Sequence, residues 1–362
     1  MSRIARGALA FSVLALTAPA GAAAAIAPVA VLTTPTTTSP VPVVTSPPVV
    51  TAPQPVATSP PPPAPLVRGR LQLGLVGAFR LGARNVTVTG RPMRVDGVAT
   101  PFVPGQVVLV KIREGRRLLK SGTFRLKRAR GGTSGRFSVR FVTNSAGNVS
   151  ISAVHGATPK LLRVAATPQK VDVVVPVAGP GSTGTFVSLI QSRLAALRFA
   201  VPQDGVYDPL TQNAVVAYRK LRGFARIDTL DGLTIHGLLN GIGAFPVRFP
   251  QQGRHVEADL TDQVLALIDG SQVFRIYPIS SGKPSTPTVL GNFHVYRKTP
   301  GYLPDGMYYS NFFYTGYAIH GYDPAPTYPA SHGCLRLPID EAINVYNWVQ
   351  LGTPVDVYYG AN

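Results

Sequence analysis

The chain has 362 residues, more than one hydrophobic core ordinarily serves, and two to four packed domains are therefore expected. Its single cysteine, Cys334, excludes any intrachain disulfide. The formal charge of +19 is uneven: residues 66–178 hold 20 Lys and Arg against Asp96, Glu114 and Asp172, whereas residues 179–362 balance at 13 of each sign.

The N-terminus carries Arg3 and Arg6, an apolar run from Ala8 to Leu16, and small-residue sites at Ala18-Pro19-Ala20 and Ala20-Gly21-Ala22. This is the pattern of a secretory signal, assigned to residues 1–27, and it predicts an exported protein acting at the cell wall or the outer face of the membrane. A membrane anchor is the alternative, because the apolar character continues to Leu32. Residues 28–65 contain 13 prolines among 38 residues and no charge, which suits a polyproline-like tether and not a core. At about 3.1 Å per residue such a tether reaches on the order of 100 Å.

Period-two alternation begins after Leu66, in Asn85–Thr89, Gln106–Ile112, Arg136–Val142 and Asn148–Ala153, with glycine-containing turns between the runs. Short strands at this spacing predict an immunoglobulin-like β-sandwich over residues 66–178. The excess positive charge lies in this domain. In an exported protein its expected partners are anionic wall polymers or lipid headgroups; compartment argues against nucleic acid, and a merely soluble basic surface is the plain alternative.

Helical spacing follows, at Phe186, Leu189, Ile190, Leu194 and Leu197, then at Ala214, Val215, Tyr218 and Leu221. Asp208-Pro209 suits an N-cap and first helical position, and a shorter third helix is predicted from Asp231 to Leu238. Leu189-Ile190-Gln191-Ser-Arg-Leu194, Asp204-Gly-Val-Tyr-Asp-Pro-Leu-Thr211 and Ala214-Val-Val-Ala-Tyr-Arg-Lys220 resemble the motifs of the three-helix peptidoglycan-binding domain, here residues 183–243. A helical spacer that binds nothing is the plain alternative.

From residue 250 to 362 alternation returns, in Val256–Leu260, Gln263–Ile268, Val273–Ile279, Asn292–Tyr296, Tyr317–His320 and Val355–Tyr358. Asp269-Gly270 marks a hairpin turn. One helix is predicted from Pro338 to Gln350, with Asp340 and Glu341 in its first turn and Trp348 as its core anchor. The C-terminal domain is thus expected to be mostly β with one main helix.

The chemistry is concentrated in Ser331-His332-Gly333-Cys334-Leu335-Arg336 and in Tyr317-Ala318-Ile319-His320-Gly321. A thiol is largely protonated near neutral pH, so a nucleophilic cysteine needs an imidazole to take its proton. A glycine beside it lets substrate approach the backbone. If Cys334 lay at the turn into the helix near Pro338, backbone N–H groups there would favour thiolate and oxyanion. Zinc binding by His320, His332 and Cys334 lacks a fourth ligand, and inert burial of the same residues does not account for the run. The four residues Tyr302, Tyr308, Tyr309 and Tyr314 fit either a substrate lid or aromatic packing.

These residues, with Ser285-Thr-Pro-Thr-Val-Leu-Gly-Asn-Phe293, resemble the YkuD, or L,D-transpeptidase, family, whose signature is a histidine followed by Ser/Thr-His-Gly-Cys. The resemblance implies Cys334 as nucleophile, His320 as proton acceptor, Gly321 as the backbone that orients its ring, and His332 in a supporting role. It implies Ser331, Gly333, Arg336 and Tyr317 as substrate-binding residues. The implied reaction uses no metal and no cofactor: peptidoglycan stem peptides are cross-linked 3-to-3 through a thioester with release of D-alanine, and carbapenems acylate the same cysteine. A water acceptor would make it an L,D-carboxypeptidase, and a degenerate site a wall-binding structural protein. Only 10 residues separate His320 from Ser331, fewer than is usual in the family.

Overall fold

The computed structural model describes residues 65–360, together with 35–40 and 42, and residues 65–360 belong to one compact unit. The predicted signal segment, and the linker apart from those few positions, lie outside the described residues. Among the described residues no helix is long and apolar enough to cross a membrane.

The basic segment folds as two sheets. Its strands are β1 (Arg70–Val76), β2 (Phe79–Leu81), β3 (Arg84–Val88), β4 (Met93–Thr100), β5 (Val107–Glu114), β6 (Arg117–Arg125), β7 (Lys127–Arg128), β8 (Gly135–Phe141), β9 (Gly147–His155), β10 (Val164–Ala165) and β11 (Gln169–Val174). One sheet runs β1-β4-β8-β7; the other runs β2-β3-β11-β9-β5-β6, with β10 on β9. Strict alternation builds the core: in β8, Phe137, Val139 and Phe141 are buried while Arg136, Ser138 and Arg140 face solvent. The buried residues meet Val95, Val108, Val110, Ile112, Val149 and Ile151 from the other strands. His155 is buried in β9 and belongs to the sheet, as expected of a residue without a catalytic neighbour.

Three helices follow: α1 (Thr185–Ala196), α2 (Pro209–Leu221) and α3 (Gly232–Leu239). Asp208 caps α2 by accepting from the Thr211 N–H at 2.8 Å, and Asp231 caps α3 by accepting from the Thr234 N–H at 2.7 Å. Gln191 explains its own place in the helical motif. Its amide donates to Asp204 Oδ1, the Val206 carbonyl and Thr211 Oγ1, and its carbonyl accepts from the Gly205 N–H at 2.8 Å, so one buried side chain ties α1 to the Asp-Gly turn. The helices do not own a closed core. Leu189, Ile190, Phe199 and Tyr218 share one apolar cluster with Val86 and Val88 of β3 and with Val264, Ala266, Ile268 and Ile276 of the next sheet.

The C-terminal part has β12 (Arg254–Asp259), β13 (Val264–Asp269), β14 (Gln272–Pro278), β15 (Gly291–His294), β16 (Arg297–Tyr302), β17 (Tyr308–Tyr314), β18 (Tyr317–Tyr322), β19 (Leu335–Pro338), α4 (Ala342–Trp348) and β20 (Pro354–Tyr358). A five-stranded sheet, β14-β13-β12-β20-β15, faces a four-stranded one, β16-β17-β18-β19. Between them lie Val256, Leu265, Leu267, Phe313, Ile319, Leu335 and Val355, sealed by Val345 and Val349. The Asp269-Gly270 hairpin forms as read, with Gly270 at φ +58°. His255 is a core residue paired with the equally buried Glu257 at 3.2 Å, while His294 lies in β15.

The predicted helix from Pro338 needs correction. Leu335–Pro338 is a strand, parallel to β18, and Ile339–Glu341 is a single 3-10 turn, so the α-helix starts at Ala342 and ends at Trp348. Pro338 has ψ 138°, which closes a strand and does not open a helix. Trp348 is only half-buried: it stacks on Phe274, and the Arg254 guanidinium lies over its ring. The four tyrosines each touch another aromatic ring, with Tyr302 and Tyr314 exposed. Tyr302 and Tyr308 face each other with ring centroids 4.4 Å apart, Tyr309 meets Tyr346, and Tyr314 meets Phe293 and Tyr317.

Candidate active site

Parallel pairing of β18 with β19 creates the site. Ile319 is opposite Leu335 and His320 opposite Arg336, and Cys334, in the bend just before β19, packs against Ala318. Side chains alternate across a sheet, and Ala318 and His320 therefore share the face that Cys334 occupies. The sulfur is partly accessible and packs with Met307, Phe312, Leu303 and Ala318. It lies 3.8 Å from the Gly316 carbonyl and 4.0 Å from the Met307 sulfur.

Ser331 shapes the loop that carries the thiol. Fully buried, it donates through Oγ to the Cys334 carbonyl at 2.6 Å and accepts from the Gly333 N–H at 3.0 Å, a local turn that fixes three successive residues. Its hydroxyl proton is thus committed within the loop. Gly333 has φ +118°, and a Cβ there would stand 1.8 Å from the Tyr317 ring. Tyr317 is the wall behind the loop, and only glycine fits against it. Gly333→Ala is expected to cost about 2 kcal/mol or more of unfolding free energy in a denaturant titration. Part of that loss should return in the Gly333→Ala/Tyr317→Ala double variant.

His320 is buried at 2% exposure, and its Nδ1 donates to the Gly321 carbonyl at 2.9 Å. This fixes the tautomer and leaves Nε2 as the acceptor. Gly321 is constrained in turn, because a Cβ would come within 2.6 Å of the Ala342 Cβ. Burial pushes His320 down to about 4 against the opposing pull of the Gly321 carbonyl, and the nearby Arg336 pushes the same way. Burial also raises the Cys334 thiol, while the Ala318 N–H at the sulfur and the Arg336 charge pull it back. Both groups rest neutral near pH 7. Among the described residues no hydrogen bond joins Sγ to the imidazole in this conformation; the two side chains sit diagonally on neighbouring strands.

The remaining predicted residues lie apart from the sulfur. The His332 ring is exposed, with Nε2 3.4 Å from Lys283 Nζ. Arg336 lays its guanidinium 3.8 Å over the Tyr322 ring and its NH1 3.5 Å from the Ala330 carbonyl, which favours a structural pair over a free carboxylate receptor. The expected helix N-terminus does not reach the sulfur: β19 and a 3-10 turn intervene, and the Gly333 N–H is already committed to Ser331. Met307 and Gly316, which touch the sulfur, carry no motif and were not legible from spacing.

A mostly-β domain presenting one accessible thiol, a buried neutral imidazole and a glycine-lined approach defines a site suited to thiol acyl transfer. Residues 253–357 match the family model YkuD, described as the L,D-transpeptidase catalytic domain, and the C-terminal part of the chain is such a domain. L,D-transpeptidase 1 of Mycobacterium tuberculosis is 26% identical over 121 residues, covering 28% of this chain and 48% of that protein. The putative L,D-transpeptidase YkuD of Bacillus subtilis is 32% identical over 107 residues, covering 28% of this chain and 65% of that protein. The match thus spans between about half and two thirds of these relatives' length. A crystal structure of an L,D-transpeptidase from Xylanimonas cellulosilytica, residues 123–326, is 33% identical, covers 50% of this chain and 97% of that one, and superposes with a TM-score of 0.46.

Proposed function

We propose that the chain is a cysteine-dependent L,D-transpeptidase that joins peptidoglycan stem peptides by 3-to-3 links. The observation that carries this reading is the pairing on one sheet face of the chain's only thiol with a histidine whose Nδ1 is already committed, so that Nε2 is the base. As the thiol turns from the Gly316 carbonyl toward His320, Nε2 takes its proton and Sγ attacks the carbonyl of the third, L-centred residue of a tetrapeptide stem. The imidazolium returns the proton to the departing D-alanine amine, leaving a thioester on Cys334. The side-chain amine of a second stem then attacks the thioester, and the thiol is regenerated.

The rest of the chain fits the same setting. The exported N-terminus places the enzyme at the wall, the helical segment holds peptidoglycan, and the basic sandwich meets anionic wall polymers. On its four-stranded sheet Arg94 stands directly opposite Arg140, and Arg136 is flanked by Lys127; only Arg94 has a nearby acid, Asp96 at 2.9 Å. Like charges opposed across a sheet are unfavourable until a polyanion neutralises them. Mass spectrometry of muropeptides after incubation with the purified chain tests the reaction. Cross-linked tetrapeptide–tripeptide dimers with released D-alanine are expected; tripeptides alone would mean water is the acceptor, and unchanged tetrapeptides would refute the enzyme.

A further inference from the structure

The short loop between His320 and Ser331 is held in part by residues from outside the catalytic domain. Lys220, the penultimate residue of α2, is 3% exposed, and its Nζ donates to the Ile279 carbonyl at 2.7 Å and the Gln263 carbonyl at 3.3 Å. Gln263, itself 1% exposed and in the left-handed region at φ +57°, continues the connection. Its amide donates to Ser281 Oγ at 2.7 Å, and its side-chain carbonyl accepts from the Ser281 N–H at 3.0 Å. The Ser281 carbonyl then accepts from the N–H groups of Ala330 and Ser331, both at 2.9 Å, and Ser331 holds the Cys334 carbonyl. Arg226, just beyond α2, makes a second attachment. It donates to the Thr261 carbonyl at 3.1 Å and to the Thr327 carbonyl, in the middle of the short loop, at 3.4 Å.

Simple packing of α2 against the sheet would need only an apolar side chain at position 220. A lysine there is desolvated, and burial pushes it down to about 7, a cost that apolar contact does not carry. As amine or as ammonium it keeps at least two N–H donors, one for each carbonyl. The segment 279–281 is thereby fixed in register against α2, and the nucleophile loop is hydrogen-bonded to that segment.

We propose that Lys220 and Arg226 are positioning residues for the Cys334 loop, so that the helical segment completes the acyl-transfer site in addition to whatever it binds. The inference rests on the reading of Cys334 as nucleophile. It is tested on the full chain with Lys220→Met, Arg226→Gln and Arg226→Lys, by following carbapenem acylation of the protein by intact mass over a range of carbapenem concentrations. Misplacement of a nucleophile by about 1 Å costs up to about a hundredfold, so the limiting acylation rate should fall roughly ten- to a hundredfold in the first two variants. The half-saturating concentration should stay unchanged, circular dichroism should stay native, and Arg226→Lys should recover most of the rate. If Lys220→Met does not fold, Arg226→Gln decides, because its head group is only half-buried. Wild-type limiting rates in folded variants, or a loss confined to half-saturation, would overturn the positioning role. A wild-type chain that forms no adduct would instead overturn the nucleophile, and this proposal with it.

Discussion

Cys334→Ser is expected to abolish D-alanine release from a tetrapeptide stem, by about 10⁴-fold or more, while thermal unfolding moves by no more than about 2 °C. The two halves of this expectation have different sources. A serine hydroxyl beside the same imidazole is far harder to ionise than a thiol and a poorer nucleophile at neutral pH. The fold tolerates the change because serine is close to cysteine in size, the polar contacts of Sγ with the Gly316 carbonyl and the Ala318 N–H are ones a hydroxyl can also make, and the loop is held by Ser331. A fluorescent D-alanine assay beside a melting curve separates the two. A melting temperature that fell with the activity would return Cys334 to a structural role.

His320→Asn is expected to lower the acylation rate by about 10²- to 10⁴-fold, the range of a positioned general base. The pH profile of the unmodified chain is the sharper test. Burial holds His320 at about 4, so the base stays unprotonated through mildly acidic solution and the acid limb of acylation should centre near pH 4. A solvent-exposed imidazole would place it near about 6.5. Stability should follow the same residue. Between about 6.5 and about 4 the unfolded chain binds a proton at His320 that the folded chain refuses, so stability rises with pH across that window and falls as acid is added. His320→Asn should flatten this part of the stability profile.

Much of the fold was legible because local patterns and tertiary demands agree. The alternation in Arg136–Val142 is a strand with its apolar residues inward, and Asp208 and Asp231 cap the helices they precede. Three strands of the catalytic part escaped notice for physical reasons. β16 runs Arg-Lys-Thr-Pro-Gly-Tyr and owes its pairing to β17, with a register shift between Thr299 and Tyr302 that no alternation reveals. β17 is a run of aromatics without period, and in β19 the Pro338 signal that suits a helix start closes a short strand instead.

The site was legible where chemistry forces residue identity. Cys334 and His320 were legible as a thiol and a candidate base, whereas Gly333, read as room for substrate at the backbone, stands at φ +118° with the Tyr317 ring where a Cβ would be. The burial that raises the thiol was not legible, since it depends on Leu303 and Met307, from the turn between β16 and β17, closing over Cys334 beside Phe312 and Ala318. Nor was the reach of Lys220, because its partners are carbonyls, which any residue can supply.

The most direct measurement is intact-mass spectrometry of the full chain quenched in acid during incubation with a synthetic tetrapeptide stem, followed by peptide mapping. A transient adduct equal to the stem less its terminal D-alanine, labile to hydroxylamine and located on Cys334, is the predicted result. D-alanine release with no adduct on that residue, or an adduct on any other, would contradict it.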